Sequence, residues 1–391
     1  MKILLVHPQM SFCGGAEIVV IQLALELKKL NQDVSILSLS ASDEIKNMCR
    51  GIPFILPSRC ETFILHHRNF ISSLIGFLRQ TIQLATLLKK HMDIFEIIHI
   101  NNFPATWACA LAGVRDAVWM CNEPPDSWNE LSHSPLRAFL NSVGARIDGY
   151  LVRRMAKRIC GADCINAGRI EKRYRRHVDI VPYGIDFVFF SRLPVDKQSI
   201  LNKYGLSGRF VITQIGTVTV QKNQLESIKA LFSVKKVFAQ TCLVLAGPEN
   251  QDYRRELDSF IDAHGLKDSV FFLGPLARKD IVELYHVSDL ALFPVKTQGG
   301  WLAPFEALCA GTPVIVSETM GASDLIKTHD LGIVTNDYAE AVMEIYQNRK
   351  SYAEKARISR EWVEKNLTWE NFAKENLRIF TEVCRDKKGV V

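Results

Sequence analysis

The run from Gln298 to Ser317, Gln-Gly-Gly-Trp-Leu-Ala-Pro-Phe-Glu-Ala-Leu-Cys-Ala-Gly-Thr-Pro-Val-Ile-Val-Ser, holds the residue types in this chain best suited to chemistry. It reads as a glycine loop, a short helix opening at Pro304, a break at Gly311 and a buried strand from Val314. The first N–H groups of a helix have no partner within it and carry partial positive charge. A helix opening behind a glycine loop therefore attracts an anion. Gly299, Gly300, Trp301, Leu302 and Ala303 offer the candidate amides. Glu306 is expected in the first turn, where a carboxylate can accept hydrogen bonds from two adjacent hydroxyls such as those of a ribose. The pairing suggests a nucleoside diphosphate with its sugar. For the proline, glycine and apolar positions a plain core unit is a sufficient reading; Glu306 adds the chemistry.

Such a segment needs a sheet to project from. In the first half, apolar strands are predicted at Lys2–His7, Asp33–Leu39, Ile97–Ile100, Ala117–Cys121, Asp163–Ile165 and Asp179–Val181. Helical patterns lie between them, notably after Gly14 and Gly15, over Phe70–Lys90 and over Pro135–Lys157. The second half repeats the rhythm, with strands at Phe210–Ile215, Thr241–Ala246, Val270–Leu273, Leu290–Phe293 and Val314–Val316. Strands alternating with helices of this length make βαβ units and a parallel sheet. The expected fold is α/β, two Rossmann-like doubly wound domains facing across a cleft, with ligands at the carboxyl ends of the strands. The expected bounds are 1–190 for the first domain, 191–208 for a linker and 209–365 for the second. A last helix over 366–391, N-capped by Thr368, is expected to return to the first domain.

Composition sets limits. The 391 residues are 48% hydrophobic and 23% charged, with net charge +6, as in a soluble globular protein. The mild basic excess favours anionic substrates or surfaces, and no aromatic-and-basic pattern points to nucleic acid. Ten cysteines are scattered without a Cys-x-x-Cys pair, which reads as reduced core thiols. No secretory cleavage pattern and no uncharged apolar run of membrane-spanning length is expected, so a cytoplasmic chain is.

With these residues in view, the chain resembles the retaining GT-B glycosyltransferases of glycosyltransferase family 4, the glycosyl transferases group 1. Members carry a glutamate, seven residues, a second glutamate, then Ala-x-x-x-Gly-x-Pro-Val-Ile. Glu306 matches the second glutamate, followed by Ala307, Gly311, Pro313, Val314 and Ile315. The stretch from Val181 to Asp186 with Phe190, Ile215-Gly216 with Lys222, Leu245 to Pro248, and Phe272 to Gly274 follow in the family's order. The resemblance implies transfer of a hexose from a UDP- or GDP-linked sugar to a glycan or lipid-linked acceptor, with the anomeric configuration retained. It implies donor binding by the second domain and acceptor binding by the first. Lys222, Gln298 and Glu306 are the implied catalytic residues. Gly14, Gly15, Gly216, Thr217 and the 299–303 loop are the implied donor contacts. His99, Asn122 and Glu123 are implied acceptor or sugar contacts.

No cofactor beyond the nucleotide sugar is expected. No Asp-x-Asp pair occurs in the chain, so no obligatory metal is expected either; Lys222 and the helix end would neutralise the diphosphate.

Three positions depart from the commonest pattern. Gln298 stands where the first glutamate would, Thr217 where an arginine usually follows the glycine, and Asn122 where many members have histidine. A non-catalytic nucleotide-sugar-binding subunit on the same fold is the alternative they support. His99 reads equally as a structural histidine, and His7 as a lesser neighbour of the same site. The basic stretches Arg153–Arg158 and Lys172–Arg176, with the helix around Thr62–Lys90, read either as solvated or core faces or as contacts to an anionic membrane surface.

Overall fold

The computed structural model describes residues 1–58, 70–122, 135–192, 196–297 and 300–387; of 70–74 and 135–140 it describes the backbone alone. The chain divides into two compact units. One is Met1–Gly184 with Trp369–Val391, the other Ile185–Thr368.

The first unit is a parallel sheet in the order β3-β2-β1-β4-β5-β6-β7. Its strands are β1 Lys2–Val6, β2 Asp33–Leu37, β3 Phe54–Ile55, β4 Ile97–Asn101, β5 Ala117–Met120, β6 Ala156–Gly161 and β7 Asp179–Ile180. The central strands are apolar along their length because helices cover both faces. Leu4, Val6, Ile100, Ala117, Trp119 and Ile159 form one buried core with Leu84, Leu88 and Cys109 from the helices. The helix Trp369–Lys387 packs on this unit and lays Phe380 against the His99 ring at 5.4 Å.

The second unit is a parallel sheet in the order β10-β9-β8-β11-β12-β13. Its strands are β8 Phe210–Ile215, β9 Thr241–Ala246, β10 Val270–Phe272, β11 Leu290–Phe293, β12 Val314–Val316 and β13 Ile333–Val334. Alternate residues feed two cores. Ile212, Leu243, Leu245 and Leu292 pack with the helices Gln224–Lys235 and Tyr338–Gln347. Val211, Cys242, Val244 and Ala246 pack with Lys197–Lys203 and Arg278–Val287.

Several sequence expectations are corrected. The first unit ends at Gly184, not 190, and the expected linker carries a helix, Lys197–Lys203, capped by Asp196. The helix predicted to Lys157 stops at Met155, and the strand follows at once as Ala156–Gly161. The strand predicted at Asp163–Ile165 is instead a helix start, because the Asp163 carboxylate accepts the Asn166 amide at 2.7 Å.

Candidate functional site

In each sheet the order reverses between two strands, β1 and β4 in the first, β8 and β11 in the second. The loops at their carboxyl ends diverge there and open a crevice.

In the second unit, β8 runs into Gly216 at φ 146°, and β9 into Gly247 at φ 148°. A Cβ on Gly247 would lie 2.2 Å from the Gly216 carbonyl oxygen, so the two loops touch backbone to backbone. A turn after Thr217 carries Lys222. Its amide donates to the Thr219 carbonyl at 3.0 Å, and its own carbonyl accepts from Gln214 Nε2 at 2.7 Å. Asn223 ties the turn to β11 by donating to the Pro294 carbonyl at 3.0 Å. The Lys222 ammonium thereby comes to rest on the loop before the next helix: a Cβ on Gly300 would sit 2.8 Å from Nζ. Residues 78 apart in sequence are joined at one point. Thr217 is exposed and accepts from Gln224 Nε2 through its carbonyl at 3.1 Å.

The helix behind this loop is Leu302–Cys309, with Trp301 as its N-cap, so it opens two residues before Pro304. Glu306 accordingly stands one turn further in than the first turn expected from sequence. The Ala303 amide donates to the Gly300 carbonyl at 3.2 Å and is not the open donor the sequence suggested. The Glu306 carboxyl is pushed up to about 7, chiefly by burial; Arg278 pulls it down and Asp186 adds to the rise. Arg278 lies 3.5 Å from Asp186 and stacks over Phe189 at 4.4 Å. Tyr285, buried beside Glu306, donates to the Ala303 carbonyl at 3.3 Å. Gln298 and Gly299 lie outside the described residues.

In the first unit, Gly14 caps the helix Gly15–Lys29. Its amide donates to Glu17 Oε2 at 3.0 Å, so the glycine loop already holds a carboxylate of its own chain. Glu17 also lies 3.6 Å from His7 Nε2. Burial pushes the Glu17 carboxyl up, with the Gly14 amide pulling it back, and pushes His7 down to about 4. Asn102 Nδ2 is 3.1 Å from His7 Nε2; an amide nitrogen can only donate, so Nε2 is the acceptor. Asn122 Nδ2 donates to Asn102 Oδ1 at 2.6 Å, and the Tyr183 hydroxyl donates to Asn122 Oδ1 at 2.5 Å. Four side chains, His7, Asn102, Asn122 and Tyr183, thus form one hydrogen-bonded line along the carboxyl edge of the sheet, with Glu17 beside its His7 end.

His99 is not part of that line. It is fully buried, accepts from Asn101 Nδ2 at 3.1 Å, and is pushed down to about 3 by burial, which makes it a core histidine. Glu123 lies outside the described residues. Sequence reasoning missed Glu17, Asn102 and Tyr183. The one available signal was Glu17, three residues after a helix-capping position, the spacing of a capping box.

The fold and both carboxyl edges define a two-domain α/β protein of GT-B type. The model of Glycosyl transferases group 1 matches residues 196–362 and that of Glycosyltransferase Family 4 matches 13–188, and the chain belongs to these glycosyltransferases. Among curated relatives, a GDP-mannose-dependent alpha-(1-6)-phosphatidylinositol monomannoside mannosyltransferase of Mycobacterium tuberculosis is 24% identical over 50% of this chain and 54% of its own. The lipopolysaccharide core biosynthesis mannosyltransferase LpcC of Rhizobium leguminosarum is 26% identical over 52% of this chain and 58% of its own. The chain spans about half the length of the curated relatives it matches. Among solved structures, Anabaena Alr3699/HepE in complex with UDP and glucose superposes with a TM-score of 0.78 at 19% identity, covering 97% of this chain and 99% of that one. WaaG, a glycosyltransferase involved in lipopolysaccharide biosynthesis, gives 0.73 at 17% identity, covering 97% and 99%.

Proposed function

We propose that this protein transfers a hexose from a UDP- or GDP-linked sugar to a glycan or lipid-linked acceptor in polysaccharide or cell-envelope assembly. The observation that carries the reading is the meeting of Lys222 with Gly300 at the opening of the Leu302–Cys309 helix, with Glu306 one turn on. An ammonium and a helix end aimed at one point suit a departing nucleoside diphosphate. Glu306 is assigned the ribose hydroxyls, which favour its charged form by donating to it. The acceptor is assigned to the polar edge of the first unit, where Asn122 and Asn102 stand partly exposed.

The reading includes retention of the anomeric configuration and no obligatory metal, since Lys222 and the helix end supply positive charge where the leaving group forms. It also includes a peripheral position on an anionic membrane. No described helix is long and apolar enough to cross one. Ile75, Leu78 and Ile82 form an exposed apolar stripe on Phe70–His91, beside the exposed Arg79. That combination suits an interfacial surface.

The test is hydrolysis or transfer of UDP- and GDP-hexoses, with and without EDTA, the product anomer read by proton NMR. Turnover that survives EDTA and keeps the donor's configuration supports the reading. An inverted product, or turnover only with added divalent metal, contradicts those parts of it.

A further inference from the structure

A cavity of about 440 Å³ opens in the second unit at the amino ends of the strands, the edge opposite Lys222. Asp289 sits just before β11 and Thr312 just before β12, and Lys197 and Arg349 close the sides from their helices. His286 and Ser288 complete the polar lining.

Its charges do not cancel. Asp289 Oδ2 accepts the Val211 amide at 2.7 Å, and Arg349 lies 4.0 Å from Oδ1. The Arg349 guanidinium is held by stacking on Phe210 at 4.6 Å and Tyr346 at 4.3 Å. Lys197 acts on both Asp289 and His286, and Arg360 adds positive potential at His286. One carboxylate, already hydrogen-bonded, thus faces two cations, Lys197 and Arg349. The hydroxyls are also oriented. Ser288 donates to the Leu284 carbonyl at 2.7 Å and accepts from the Thr213 hydroxyl at 2.5 Å, which leaves it one lone pair, and Thr312 donates to the Tyr285 carbonyl at 2.7 Å, so both oxygens offer a ligand only acceptor capacity.

Cations select an anion, and acceptor oxygens select hydroxyl donors. The space exceeds what one phosphate group fills. We infer that this cavity is a second ligand site, distinct from the donor site, which binds a small hydroxylated phosphate monoester such as a sugar or polyol phosphate. Lys197 and Arg349 hold the phosphate; Ser288, Thr312 and Asp289 accept from the hydroxyls.

The test is isothermal titration calorimetry of the full chain with glucose 6-phosphate, inorganic phosphate and glucose at equal ionic strength. Lys197 is exposed, so Lys197→Gln keeps the fold and is the informative variant. Saturable binding of glucose 6-phosphate, tighter than inorganic phosphate, weakened about tenfold or more in Lys197→Gln and unchanged in Lys222→Ala, is expected. Absence of saturable binding, or binding that survives Lys197→Gln, overturns the site. Loss in Lys222→Ala overturns it too, by moving the phosphate to the opposite edge. Equal affinity for both phosphates overturns the hydroxyl half of the inference.

Discussion

Glu306 is a carboxyl held near neutrality by burial, and two pH effects of opposite sign follow. In the free protein its folded value exceeds the unfolded one, so the folded state binds more protons between about 4.5 and 7. Its contribution lowers stability as pH rises through that window, by roughly 3 kcal/mol at most. Glu306→Gln should flatten that slope in urea melts at pH 5 and 7.5. For the ligand the sign reverses. If ribose hydroxyls bind the carboxylate, nucleotide affinity should fall about tenfold per unit as pH drops below 7, and this dependence should vanish in Glu306→Gln.

Gly300 gives a second residue-scale prediction. At φ +80° a side chain is strained by about 1–2 kcal/mol, and the added Cβ would push away the flexible end of Lys222. Gly300→Ala should cost about 1–2 kcal/mol of stability and weaken diphosphate binding about tenfold or more by calorimetry. Gly247→Ala, which meets backbone at 2.2 Å, should instead destabilise the whole unit.

At the scale of elements, β6 explains what the sequence concealed. Lys157 and Arg158 look like the end of a charged helix face, yet they lie in a strand. Arg158 is bound bidentately by Asp179 of β7 at 2.8 and 2.5 Å, and by Glu382 of the last helix at 2.9 Å. Only partners 21 and 224 residues away make that strand possible. Arg158→Leu leaves Asp179 unpaired and Glu382 with Arg378 alone, and should destabilise the first unit by about 2 kcal/mol in chemical denaturation. The same dependence on distant partners hid the line His7–Asn102–Asn122–Tyr183 and Glu17 beside it, all locally unremarkable polar residues. His7 and His99 carry depressed values of about 4 and 3. The unfolded chain protonates near 6.5, so their stability contribution is complete above that and is lost as pH falls toward those values. His99→Gln should lessen acid destabilisation between pH 6.5 and 4 by up to roughly 3 kcal/mol.

For the whole molecule, what was legible was rhythm and punctuation. Continuous apolar runs such as Leu243 to Ala246 and Leu290 to Phe293 can only be buried strands between covering helices, and the glycines after them mark where the sheet opens. From these the two doubly wound units and the loops around Gly216 and Gly300 could be read. Short edge strands such as Phe54–Ile55 and Ile333–Val334 could not, since two residues carry no period. Nor could the cavity at the amino edge, which residues of four helices, Lys197–Lys203, Arg278–Val287, Tyr338–Gln347 and Arg349–Asn366, line.

The central claim is that Lys222, Gly300 and Glu306 form a nucleoside-diphosphate site. Its most direct test is thermal shift with UDP, GDP, ADP and their hexose forms, without metal, beside Glu306→Ala and Lys222→Ala. Selective stabilisation by the uridine or guanosine series, abolished in both variants, is expected. No stabilisation of a well-folded protein by any of them, or stabilisation that persists in both variants, would contradict it.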